Sequence, residues 1–120
     1  MTTKATKRVL IVDDNEMASE LLGEFLELSG HVARIAHSGQ AALDAARAEA
    51  PDVCIVDIVL PDMDGYALAA ALREQTKITP KIIALSGLPK NMRRGDDSLF
   101  DAWLEKPADL DTLESMLAGI

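Results

Sequence analysis

A doubly wound α/β fold, one parallel sheet with helices packed on both faces, is what this sequence predicts, and three observations predict it. Short apolar runs rich in β-branched residues recur along the chain, stretches with helical spacing separate them, and capping or turn residues mark most junctions. Parallel strands joined by right-handed crossovers are covered on both faces, so each should be apolar throughout rather than alternating. At 120 residues the chain fits a single domain.

The elements follow in order. Val9-Leu10-Ile11-Val12 reads as a strand, cut off by Asp13-Asp14-Asn15. Met17, Leu21, Leu22, Phe25 and Leu28 then recur as the apolar stripe of a helix over about residues 15 to 29, stopped by Ser29-Gly30. Val32 to Ala36 is the second strand. Ser38 is placed as the N-cap of an Ala-rich helix running to about Glu49, with Pro51 beyond its end. Val53 to Asp57 repeats the pattern of an apolar strand closed by an acid. Leu60 to Gly65 is a loop by its turn residues, with Gly65 as a backbone turn, and Tyr66 to about Gln75 is a third helix. Lys81 to Ser86 and Ala102 to Glu105 are the fourth and fifth strands, and Leu110, Leu113, Met116 and Leu117 mark a final helix. Between Gly87 and Phe100, Pro89, Gly95 and Asp96-Asp97 interrupt any stripe, which predicts a short, frayed or mobile helix there. Residues 1 to 7 are expected to be a flexible start.

Composition narrows the function. A formal charge of −8 argues against nucleic acid, whose binders gather Lys and Arg on one face. Cys54 is the lone cysteine and lies inside an apolar run, as a buried hydrophobe does, which suits a reducing, cytoplasmic setting. The apolar stretch before Asp13 is too short for a signal peptide, and no run reaches membrane-spanning length, so no membrane insertion is expected.

In open parallel sheets, ligands bind beyond the carboxyl ends of the strands, and the chemically informative residues fall there. Asp13 and Asp14 end the first strand, Asp57 the third and Ser86 the fourth, while Lys106 follows the fifth. Three gathered carboxylates repel one another unless a cation sits among them. Hard oxygens without Cys or His favour Mg²⁺ over Zn²⁺, and His31 and His37 are read as lying on the wrong side of the strands. A divalent cation would let Asp57 attack an anionic phosphodonor, with the Lys106 ammonium and the Ser86 hydroxyl holding phosphoryl oxygens. Taken singly, Asp13-Asp14 could be a helix cap, Ser86 a turn residue and Lys106 a solvated lysine; their alignment at successive strand ends is what separates them from those readings.

The acidic pair, Asp57-Ile58-Val59-Leu60-Pro61-Asp62-Met63-Asp64-Gly65, Leu85-Ser86-Gly87 and Lys106-Pro107 together resemble the receiver domains of response regulators in two-component signalling, over residues 7 to 119. The resemblance implies a flavodoxin-like sheet of order 2-1-3-4-5. It implies Asp57 as phosphoacceptor, Asp14 as a direct Mg²⁺ ligand, Asp13 as a ligand through water and the Val59 carbonyl as a third. Ser86 and Lys106 would read the phosphate, the Lys106-Pro107 bond would be cis, and Val59 and Leu88 would influence how long the phosphoryl group lasts. Trp103 takes the place of the family's aromatic switch. The partners implied are a histidine kinase or histidine phosphotransfer protein, and a downstream protein on the face of the fourth helix, fifth strand and final helix. Such a domain catalyses only its own phosphotransfer and dephosphorylation. Of three rivals the last is the serious one. A Mg²⁺ phosphohydrolase with an aspartyl nucleophile should carry a second acid two residues on, where this chain has Val59; a nucleotide or flavin binder lacks its glycine loop; and a protein-interaction module of the same fold could act without phosphorylation.

Overall fold

The computed structural model describes residues 6–75, 79–87, 97–106 and 108–119. Five parallel strands, β1 (Arg8–Val12), β2 (Val32–Ala36), β3 (Val53–Asp57), β4 (Lys81–Ser86) and β5 (Ala102–Glu105), form one sheet in the order β2-β1-β3-β4-β5. Helices α1 (Glu16–Leu28), α2 (Gly39–Ala48), α3 (Gly65–Gln75) and α4 (Leu110–Ala118) connect or follow them. The central strands β1, β3 and β4 are apolar along most of their length because each is covered twice, whereas the edge strands β2 and β5 are partly exposed. Leu10, Val12, Cys54, Val56, Ile82 and Ala84 face α2 and α3, where Ala42, Ala46, Leu68 and Leu72 meet them. The alternate residues Val9, Ile11, Val53, Ile55, Ile83 and Leu85 face Leu22 and Leu26 of α1 and Leu113 and Leu117 of α4.

Local chemistry sets the boundaries. The Asn15 side chain caps α1 by accepting from Ala18 N at 3.0 Å, and Ser38 caps α2 by accepting from Ala41 N at 3.1 Å. Since Asn15 is the cap, the acids before it are released from that duty. Cys54 is fully buried in β3, and burial pushes its thiol up to about 12, so it stays protonated at neutral pH. Lys7 is held rather than loose: its N–H donates to His31 Nδ1 at 3.1 Å and its carbonyl accepts from Val32 N at 3.0 Å.

The inward face of α1 departs from the stripe expected of it. Met17, Leu21 and Leu28 are exposed, and the buried residues are Ser19, Leu22, Gly23 and Leu26. Ser19 can be buried because its hydroxyl donates to the Glu16 carbonyl at 3.0 Å, and Gly23 lets the helix approach Ile35 and Ile11 closely. Two small residues thus occupy the inner face, and hydropathy spacing cannot register them. Of the helix expected after Gly87, residues 88–96, and Leu88 with them, lie outside the described residues. The part described is a 3-10 turn, Asp97–Leu99, whose Leu99 carbonyl accepts from Arg73 of α3 at 2.7 and 3.0 Å.

Candidate functional site

The sheet itself brings the acids together. Val12 pairs with Val56 between β1 and β3, so one step further the chain places Asp13 beside Asp57 on strands about 4.8 Å apart. Here strand order reverses, because β2 leaves β1 on one side and β3 lies on the other. Carboxylate oxygens of Asp13, Asp14 and Asp57 lie within 4.8 Å of one another. Asp13 and Asp57 are buried, and Asp14 is exposed.

Lys106 closes the pocket. Its Nζ lies 2.6 Å from Asp57 Oδ2 and 3.7 Å from Asp13 Oδ2. Burial opposes its charge, but the hydrogen bond to Asp57 and the charges of Asp57, Asp13 and Asp14 prevail and raise its pKa. Its N–H donates to the Ser86 carbonyl at 2.8 Å, which fastens the loop after β5 to the end of β4. Asp57 Oδ1 accepts from Val59 N at 3.0 Å, so both its oxygens are oriented. Burial is the chief cause that raises the Asp13 carboxyl above its ordinary value. The Asn15 amide, which donates at 3.0 Å, and Lys106 act in the opposite direction, and the Asp57 charge adds to the rise.

This donor set fits a hard divalent cation. One ammonium stands against three carboxylates, all the ligating atoms are oxygens, and an exposed member leaves room for water, as Mg²⁺ coordination requires.

Ser86 is buried at the end of β4 and Trp103 is half-buried in β5. Ala84 pairs with Trp103, and Ser86 stands two residues past Ala84, so Ser86 and Trp103 face the same side of the sheet about 6.6 Å apart along it. The Trp103 ring packs on Phe100 (centroids 5.2 Å) and Tyr66 (6.2 Å). Pro107 lies outside the described residues.

Two features were missed from sequence. His37 is at the carboxyl end of β2, not on the wrong side, and its Nδ1 lies 2.9 Å from the Asp13 carbonyl. The signal was its place directly after a strand. His31, at the other end of β2, is remote as expected. Gly65 is required for closeness rather than for a turn: a Cβ there would lie 2.8 Å from the Asp57 carbonyl oxygen and 2.8 Å from Ile58 Cα. Gly65→Ala must therefore displace backbone beside Asp57. It is expected to destabilise by about 2 kcal/mol, lowering the melting temperature by about 8 °C in a thermal scan.

A family profile described as the response regulator receiver domain matches residues 9–118. The chain is 34% identical to the sensor histidine kinase AtsR of Burkholderia thailandensis over 125 aligned positions, which take in 99% of this chain but only 20% of the kinase. A CheY-like response regulator receiver domain from Methylobacillus flagellatus superposes with a TM-score of 0.88 at 36% identity, covering 96% of this chain and 98% of that one. The response regulator TrrA of Thermotoga maritima, solved with Mg²⁺ and BeF, gives 0.85 at 29% identity, covering 95% and 98%.

Proposed function

The chain belongs to the response regulator receiver domains, and on that premise we propose that it accepts a phosphoryl group on Asp57 from a phosphohistidine of a histidine kinase or histidine phosphotransfer protein. The observation that carries this reading is the convergence of Asp13, Asp14, Asp57 and Lys106 at the switch point of the sheet. Mg²⁺, held by Asp13, Asp14, Asp57 and the Val59 carbonyl, would gather the charge of the phosphoryl oxygens. The likeness to TrrA, whose structure holds that ion, supports the assignment.

The chain's own residues do the rest. A carboxylate oxygen of Asp57 forms the new bond to phosphorus, the donor's N–P bond breaks, and the departing imidazole takes up a proton. Lys106 already touches the acceptor and can follow the transferred charge onto a phosphoryl oxygen, and the buried Ser86 hydroxyl offers a second donor. Val59 stands where a phosphohydrolase carries its second acid, so no general base is supplied two residues beyond Asp57, which supports a domain that acts only on its own phosphoryl group. Because Ser86 and Trp103 share a sheet face, closure of Ser86 on the phosphate would be felt by Trp103 and passed to a downstream protein at the β5 and α4 surface.

The donor has a place to sit. A groove of about 530 Å³ runs from Asp13 and Lys106 along Leu21, Leu22, Ala108 and Leu110, and beside it Met17 and Leu21 of α1 are 74% and 62% exposed. Its continuity with Asp13 and Lys106 supports reading it as the face on which the phosphohistidine protein docks to reach Asp57. Incubation with acetyl phosphate should add one phosphoryl mass in Mg²⁺ and none in EDTA; absence of the mass in Mg²⁺ would refute the reading. Leu21→Glu should slow transfer from a phosphohistidine donor about tenfold, since a desolvated apolar contact is lost. It should leave the acetyl phosphate reaction unchanged.

A further inference from the structure

The turn from β2 into α2 touches the acidic pocket from two sides. On one side, both backbone groups of Asp13 are held by the end of β2: its N–H donates to the Ala36 carbonyl at 3.1 Å, and its carbonyl lies 2.9 Å from His37 Nδ1. A carbonyl can only accept, so His37 must carry its proton on Nδ1. On the other side, two residues along, Gly39 N and Gln40 N both donate to the carboxylate of Asp62, at 2.8 and 2.9 Å. These are orphan amides of the first turn of α2, where a carboxylate is favoured. The two bonds hold the Asp62 carboxyl below its ordinary range. Asp62 belongs to the loop that begins at Val59 and ends at Gly65, and Met63 of that loop lies where a Cβ on Gly39 would be.

We propose that this turn is the positioning element of the pocket, His37 by orienting the Asp13 peptide and Asp62 by tethering the Val59 loop, so that both set the affinity for Mg²⁺ while touching neither the ion nor the phosphoryl group. The proposal rests on the reading of the pocket as a Mg²⁺ site. It follows from leverage: the first strand's acids and the third strand's loop come from different elements, and this turn is bonded to both. Hydrogen bonds that orient ligands from outside a metal's own shell are worth about 10-fold in affinity or more.

The test uses the full chain and Mg²⁺ alone, titrated by calorimetry. His37→Ala and Asp62→Ala should each raise the dissociation constant about tenfold. His37→Asn, whose amide N–H stands near the position of the Nδ1–H, should return it to within about twofold of the parent. At saturating Mg²⁺ the extent of modification by acetyl phosphate should match the parent in all three, and nitrogen NMR should show a protonated Nδ1 at His37. Unchanged Mg²⁺ affinity in either alanine variant overturns the proposal while leaving the site reading intact, as does His37→Asn behaving like His37→Ala. Asp62 is exposed, so its variant serves should His37→Ala not fold. A parent chain that binds no Mg²⁺ overturns the proposal and the site reading together.

Discussion

Asp57→Asn is expected to abolish phosphoryl acceptance outright, with no added mass at any concentration of Mg²⁺ or acetyl phosphate, while the fold persists. The amide keeps the shape of the side chain and one oxygen, which can still accept from Val59 N as Oδ1 does now at 3.0 Å. What it loses is the anionic oxygen that pairs with Lys106 at 2.6 Å and would bond to phosphorus. A carboxamide oxygen is a poor nucleophile and a weak ligand for a hard cation, so nucleophile and ligand disappear together. The lysine is not stranded, because Asp13 Oδ2 lies 3.7 Å away and the ammonium is partly exposed. Intact-mass spectrometry beside a thermal scan measures both halves. Modification of the variant to the parent's extent would show that another residue is the acceptor.

Asp13→Asn is expected to stabilise the metal-free protein and to erase its response to Mg²⁺. Burial raises the Asp13 carboxyl above its ordinary value of 3.8. Between that value and the folded one, the folded chain binds more protons than the unfolded chain. Its stability therefore falls as pH rises through the window, and above the window the buried carboxyl is a standing cost. Asparagine removes the charge and keeps an oxygen for the Asn15 N–H. The gain should be about 1 kcal/mol after the lost attraction of Lys106 is counted, about 4 °C in melting temperature, with a flatter dependence on pH across the acid range. In the parent, added Mg²⁺ should raise the melting temperature by mass action; in the variant it should not. A variant that melts below the parent at neutral pH without metal would show that Asp13 serves the fold rather than the ion.

The five strands were legible almost to the residue: the central three are buried on both faces and appear as apolar runs ending at or beside a polar residue, and the partly exposed edge strands β2 and β5 are short, mostly apolar stretches between polar or turn residues. The pocket was legible for the same reason: Asp13, Asp57 and Ser86 interrupt those runs where the sheet ends. Spacing failed on α1, whose inner face is made with Ser19 and Gly23 and whose Met17, Leu21 and Leu28 are exposed, Leu21 of them lining the groove. Hydropathy spacing follows the large residues, and here some of them remain at the surface. His37 and Asp62 were harder to read for a different reason, and only His37's place directly after a strand was a signal. Their partners are main-chain groups of Asp13, Gly39 and Gln40, and no residue pattern records where a distant peptide points. Among the described residues no helix is long and apolar enough to cross a membrane.

The most direct test of a phosphoryl pocket built from four strand ends is to locate the modified atom. The chain is phosphorylated in Mg²⁺, reduced with borohydride, which converts an acyl phosphate to an alcohol, and sequenced as peptides by mass spectrometry. The expected product is homoserine at position 57 and nowhere else. Homoserine arising at position 13, 14 or another acid, with Asp57 recovered unchanged, would contradict the account.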